Sequence, residues 1–123
     1  MLNLDTHIVV ALLDGELSRL EHQHIVSDSL AISDIVLWEL SKLIQLGRLE
    51  LDLQDPSFSK FLRAVTVFPI TLEIARKSAS LDFASDPADE IIAATSIVEN
   101  SPLLTRDRRI LRSRLVPFAS LRG

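Results

Sequence analysis

Four short apolar runs punctuate this chain: LNLD (2–5), SLAIS (29–33), TVFPI (66–70) and PLLTRD (102–107). Longer stretches with helical spacing separate them. Such alternation predicts an α/β fold, a short and mainly parallel β-sheet flanked by α-helices. The helical stretch after the first run carries Leu17, Leu20 and Ile25 as apolar markers. IVLWELSKLIQLG (35–47) is apolar at 36, 37, 40, 43, 44 and 46, near helical period, and Gly47 predicts its end. DPSFSKFLRAV (55–65) opens on an Asp-Pro start signal, and TLEIARKSASL (71–81) has Thr71 as a candidate N-cap. ADEIIAATSIVEN (88–100) is almost wholly apolar from Ile91 to Ala94, which predicts burial. Pro69 puts TVFPI at a sheet edge or a strand end. LVPFASL (115–121) reads as a last strand or an extended tail.

The length of 123 residues suits one domain, 1–123, with one core. An apolar fraction of 47% with few Gly and Pro excludes a disordered or fibrous class. The net charge of −4 argues against nonspecific coating of nucleic acid, so any such contact must come from a local basic patch. With no cysteine, disulfides and thiolate metal sites are excluded. MLNLD lacks the charged region and cleavage site of a signal peptide, and no apolar run approaches the roughly 18 residues of a membrane span. A soluble cytoplasmic protein is the expectation.

In parallel α/β sheets, sites form beyond the carboxyl ends of the strands, near a switch in strand order. Asp5 ends the first run and Asp107 the fourth. Asp86 and Asp89 begin the helix that leads into PLLTRD, and Glu39 lies in the helix after the second run. Four segments thus deliver acids that can meet at one edge of the sheet. Hard divalent cations take oxygen ligands, and Mg²⁺ usually combines few carboxylates with water and substrate phosphates. A bound metal can supply the nucleophile for attack on a phosphodiester and neutralise charge on the leaving oxygen. Without a cation, clustered carboxylates raise one another's pKa or move apart.

Each acid also has a structural use. Asp86 followed by Pro87 makes a good N-cap and first-turn pair, worth about 1 kcal/mol, and capping is the role expected of it. Asp89, near the third helical position, gains about 0.3–1 kcal/mol from the helix dipole if exposed. Considered alone, that use wins. Asp5 suits a turn after a strand, and Asp107 suits pairing with a neighbouring arginine. Glu39 is different, since it interrupts the apolar run VLWEL, where a carboxylate is costly unless paired or metal-bound.

LDTH (4–7), AISDIVLWEL (31–40), DPADEIIAATS (86–96) and PLLTRDRRI (102–110) together resemble the PIN-domain ribonucleases, specifically the VapC-type toxins of bacterial type II toxin–antitoxin pairs. The resemblance spans nearly the whole chain, with residues 48–70 contributing little. It implies a PIN-like fold and an acidic pocket dependent on Mg²⁺ or Mn²⁺. Carried over position by position, the four acids are Asp5, Glu39, Asp89 and Asp107. Thr6 matches the hydroxyl residue after the first acid, and Thr105 the one before the fourth, placed to orient a carboxylate or a water. The implied activity is metal-dependent endoribonuclease: metal-activated water cuts RNA, leaving 5′-phosphate and 3′-hydroxyl ends. A cognate antitoxin and a homodimer are implied as partners. Two departures stand out. Ala84-Ser85 replace the His-Arg pair often found before the third block, and Arg108 and Arg109 stand where a further acid sometimes follows.

Arg106, Arg108, Arg109, Arg112 and Arg114 cluster beside Asp107. They suit an approaching RNA backbone, with Arg106 and Arg109 able to share a face, or equally a solvated helix face with salt bridges. His22 and His24, at i, i+2, are expected at the surface, and His7, beside Asp5, is expected to be structural, with substrate contact as the alternative. Trp38 and the phenylalanines are expected in the core or an interface. Two other enzyme or signalling classes fit less well. An α/β phosphohydrolase wants an acid two residues after Asp5, where His7 stands, and a phosphoacceptor receiver wants a late lysine, whereas the lysines are Lys42, Lys60 and Lys77. A catalytically inactive PIN-like interaction module remains as the non-enzymatic alternative.

Overall fold

The structure is a computed structural model that describes residues 1–120. Its elements are β1 (Leu2–Leu4), α1 (Thr6–Asp14), α2 (Arg19–Val26), β2 (Leu30–Ser33), α3 (Ile35–Gln45), α4 (Pro56–Ala64), β3 (Thr66–Phe68), α5 (Leu72–Ser78), α6 (Pro87–Val98), β4 (Leu103–Leu104) and α7 (Arg108–Leu111). The four strands form one parallel sheet in the order β3-β2-β1-β4. The chain moves outward from β1 to β2 and β3, then returns to the other side of β1. Strand order therefore switches between β1 and β4, where an α/β sheet opens a crevice.

Local signals explain most boundaries. Thr71 and Asp55 cap their helices through side-chain oxygens that accept from Ile74 N–H and Ser57 N–H. Gly47, at φ 71°, takes the left-handed conformation two residues past α3. The stretch after β1, expected as one helical segment, is two helices. Gly15, also at φ 71°, ends α1, and Ser18 with Glu21 forms the capping box that starts α2.

The fourth strand is much shorter than the expected 102–107, because beyond Leu104 the backbone turns to start α7. β3 is an edge strand, and Pro69 falls just past its end. Of the expected last segment, 115–121, residues 117–119 lie beside β4, with Phe118 bridged to Leu103. Its residue 121 lies outside the described residues.

The core gathers where both faces of the sheet meet helices. Leu4, Ile32, Val36, Leu40, Ile92, Leu103, Leu104 and Ile110 are buried there, each worth about 1.5–3 kcal/mol of transfer free energy. Ala93 and Ala94 are fully buried, so α6 packs close, as its apolar run predicts. Phe58 is buried against Phe61, but Trp38 is 54% exposed with the Lys42 ammonium 5.8 Å from its ring. A half-solvated indole can still keep a cation over its face. His22 is exposed as expected; His24 is partly buried, and its ring nitrogen meets the Ser120 carbonyl. Among the described residues no helix is long and apolar enough to cross a membrane.

Candidate active site

Asp5 follows β1 and Asp107 follows the neighbouring β4, so both stand at the switch point of the sheet. Asp5 is only 2% exposed. Its Oδ1 accepts from Thr6 N–H at 2.8 Å while capping α1, and its Oδ2 accepts from the Thr105 hydroxyl at 2.6 Å. The Thr105 oxygen in turn accepts from Asp107 N–H at 3.0 Å, which links the two acids through one hydroxyl. Burial pushes the Asp5 carboxyl up, against the lowering effect of these hydrogen bonds.

Glu39 reaches the same place from α3. Its Oε1 accepts from the Thr6 hydroxyl, and its pKa is raised by burial, with further repulsion from Asp5 and Asp86. Asp89 comes from the first turn of α6, where the Ser85 hydroxyl donates to its Oδ2 at 3.0 Å. Its carboxyl is pushed up to about 6, first by burial and then by the charges of Asp5, Glu39 and Asp107. Acids from four segments therefore feel one another at one place. Glu39 Oε2, Asp89 Oδ1 and Asp107 Oδ2 have no hydrogen-bond partner among the described residues, so each of these acids presents one uncommitted oxygen.

The caps fall differently from expectation. Asp86 holds the N-cap position of α6, yet its side chain makes no capping bond. Its exposed carboxylate faces a hollow of about 550 Å³ instead, with Ser85, Asp89, Asp107, Arg108, Arg109 and Arg112. Asp107 is the true cap, its Oδ1 accepting from Arg109 N–H at 2.8 Å and Ile110 N–H at 3.2 Å. A second hollow of about 360 Å³ lies across Asp107, lined by Asp5, His7, Glu16 and Arg106 among others.

The arginines divide. Arg106, for which RNA contact and a salt bridge were equal expectations, makes the salt bridge: it forks onto Glu21 at 2.8 and 2.7 Å and donates to the Glu16 carbonyl at 3.1 Å. That guanidinium holds the Glu21 carboxyl down to about 2. Its first task is thus to tie α2 to the end of β4, a bidentate geometry suited to arginine. Arg108, Arg109 and Arg112 are exposed on the larger hollow, with no side-chain partner among the described residues. Arg114 lies outside it and gives its backbone N–H to Asp82.

The PIN domain family matches this sequence over residues 3–114. The chain belongs to the PIN-domain family. That match includes Asp5, Glu39, Asp89 and Asp107 within its bounds. The chain is 34% identical over 87 residues to ribonuclease VapC22 of Mycobacterium tuberculosis, covering 68% of this chain and 67% of that protein. Among solved structures it is similar to VapBC2 of Rickettsia felis bound to a promoter DNA fragment, with TM-score 0.73, 20% identity, and 97% and 98% of the two chains covered. It is also similar to a toxin–antitoxin complex from Klebsiella pneumoniae, with TM-score 0.70, 21% identity and 91% of each chain covered. FitAcB of Neisseria gonorrhoeae matches at TM-score 0.69, 20% identity and 98% of each chain.

One contact of this PIN domain lay beyond sequence reasoning. Ser85 stands in a place noted only as a departure, yet its hydroxyl holds Asp89. Its spacing four residues before Asp89 is the signal that was available. His7, for which a structural role was preferred to substrate contact, is exposed on the smaller hollow, the position its alternative reading requires, and close enough to lower the pKa of both Asp5 and Glu39. Among the described residues no three Asp, Glu or His side chains are grouped so that they could hold a metal ion as they stand. An all-oxygen set in which Glu39, Asp89 and Asp107 each keep an uncommitted oxygen suits a hard cation that keeps several waters.

Proposed function

We propose that this PIN domain is a metal-dependent endoribonuclease, the toxin of a toxin–antitoxin pair, with Asp5, Glu39, Asp89 and Asp107 holding Mg²⁺ or Mn²⁺ directly or through water. The observation that carries this is that Asp5, Glu39, Asp89 and Asp107 come from four separate elements to one end of the sheet, where burial and their charges push the Asp89 carboxyl up. Such a cluster costs folding free energy unless a cation joins it. When bound, the cation supplies charge neutralisation at a phosphate and makes water a nucleophile at neutral pH.

The chain's own groups set the geometry. The Thr105 hydroxyl and Thr6 N–H fix the Asp5 carboxylate, the Thr6 hydroxyl holds Glu39, and Ser85 holds Asp89. Arg108, Arg109 and Arg112 give the larger hollow a basic wall opposite its acids, suited to the non-bridging oxygens of RNA phosphates. Arg106 contributes to RNA binding only through the residues that it positions.

The names of VapC22 and of the toxin–antitoxin complexes support RNA as substrate and a cognate antitoxin as partner. The exposed Trp38, Leu46 and Leu72 leave apolar surface for that partner or for a second copy in a homodimer, in the cytoplasm. RNA cleavage in Mg²⁺ or Mn²⁺ tests the enzyme, comparing wild type with Asp5→Asn and Asp89→Asn. Both substitutions abolish cleavage, and so does a chelator; activity that survives these treatments overturns the mechanism. Growth arrest on expression, relieved by the product of a neighbouring small gene, tests the toxin assignment separately.

A further inference from the structure

Asn3 is the middle residue of β1 and is fully buried in the centre of the sheet. Its amide nitrogen donates twice to α6, to the Ile92 carbonyl at 3.2 Å and to the Ser96 hydroxyl oxygen at 2.9 Å. Because a carbonyl can only accept, the amide must turn its nitrogen toward Ile92, which fixes its orientation. The other amide atom, Oδ1, has no partner among the described residues. An aliphatic side chain would fill the same place without an unmatched buried acceptor, so core stability alone does not account for an amide there.

The geometry points to a second use: we propose that Asn3 is a positioning residue that sets the separation of Asp5 and Asp89. Side chains alternate along a strand, so Asn3 and Asp5 lie on the same face of β1. Asp89, Ile92 and Ser96 are spaced by three and four residues, so they share one face of α6. α6 leads through a short turn into β4, so its first turn lies at the carboxyl ends of the strands, where Asp5 stands. The Asn3 link therefore sits just behind both acids, two residues behind Asp5 on the strand and three to seven behind Asp89 on the helix. It is a cross-brace between the two elements that deliver them. Sliding or lifting α6 at Ile92 moves Asp89 against Asp5, and no other side-chain hydrogen bond among the described residues joins β1 to α6.

This inference rests on the metal-site reading above, and its test separates the two. The double substitution Asn3→Leu with Ser96→Ala replaces both hydrogen-bonding partners by apolar groups, an exchange that is close to neutral for folding. Mn²⁺ alone serves as the probe, titrated by calorimetry into metal-free protein, with thermal unfolding measured alongside. The expected result is a Mn²⁺ dissociation constant raised roughly three- to tenfold at a melting temperature close to wild type. Ser96→Ala alone, which keeps the bond to Ile92, gives a smaller rise and decides the matter if the double variant does not fold. Unchanged Mn²⁺ affinity in a folded variant overturns the brace while leaving the metal site standing. A wild-type protein that binds no Mn²⁺ overturns both.

Discussion

The side chains around the acids divide into those that aim a carboxylate and those that hold the fold, and substitution separates them. The Thr105 hydroxyl donates to Asp5 and accepts from Asp107 N–H, so it orients one acid and fixes the backbone of another. Thr105→Val keeps the shape and removes both bonds. The expected loss is about 1–2 kcal/mol of stability, together with roughly 10–100-fold in metal affinity, read by urea unfolding and Mn²⁺ titration. Arg106 behaves in the opposite way. Arg106→Ala leaves Glu21, only 3% exposed, without its forked partner. That change costs about 2–3 kcal/mol of stability, while the folded fraction keeps its cleavage rate. Arg109→Ala removes an exposed cation with no side-chain partner among the described residues. It leaves stability within about 0.5 kcal/mol of wild type and weakens RNA binding, most visibly at low salt. Equal effects of the two arginine substitutions on RNA binding would place Arg106 on the substrate after all.

At the scale of elements, what the sequence made legible is what local chemistry decides. Thr71, Asp55 and Gly47 act where their side chains, or the lack of one, demand, because a cap or a left-handed residue answers to its immediate neighbours. The convergence of Asp5, Glu39, Asp89 and Asp107 was legible too, since a parallel sheet puts its strand ends and the starts of following helices on one edge. The choice of cap was not. Asp86 and Asp107 both precede helices with good capping chemistry, and only tertiary packing lets Asp107 close the bond while Asp86 faces the hollow. Long-range pairs such as Arg106 with Glu21, 85 residues apart, leave no periodic trace. Nor did the apolar markers reveal the break at Gly15, since Leu17, Leu20 and Ile25 all lie beyond it and do not register where the preceding helix ends. Gly15 now carries its own prediction. A Cβ built there meets nothing within 4 Å, so only the backbone at φ +71° resists a side chain. Gly15→Ala is expected to cost about 1 kcal/mol, seen as a lower melting temperature with cleavage per folded molecule unchanged.

For the whole molecule, the acids make stability depend on pH in two opposing ways. In metal-free protein the Asp89 carboxyl titrates at about 6, above its ordinary 3.8, so between those values the folded state holds a proton that the unfolded chain has released. Its contribution therefore improves as pH falls from about 6 toward 4, and Asp5 and Glu39, also raised, act in the same sense. Glu21 acts oppositely, because Arg106 holds it down to about 2 against an ordinary 4.5. Its contribution is complete above 4.5 and is lost as pH falls through that window toward 2. Metal-free protein is thus expected to be most stable near about pH 4–5 and weaker at neutral pH. Mn²⁺ or Mg²⁺ needs the carboxylates ionised, so it competes with protons for the same groups. Saturating Mn²⁺ should raise the melting temperature strongly at pH 7.5 and little at pH 5, shifting the optimum toward neutrality. Removing the metal with a chelator restores the acid-side optimum. Thermal unfolding across pH, with and without Mn²⁺, measures both curves. A metal-free profile that climbs steadily toward neutral pH, or the same Mn²⁺ effect at both pH values, would mean that the acids do not act as one coupled site.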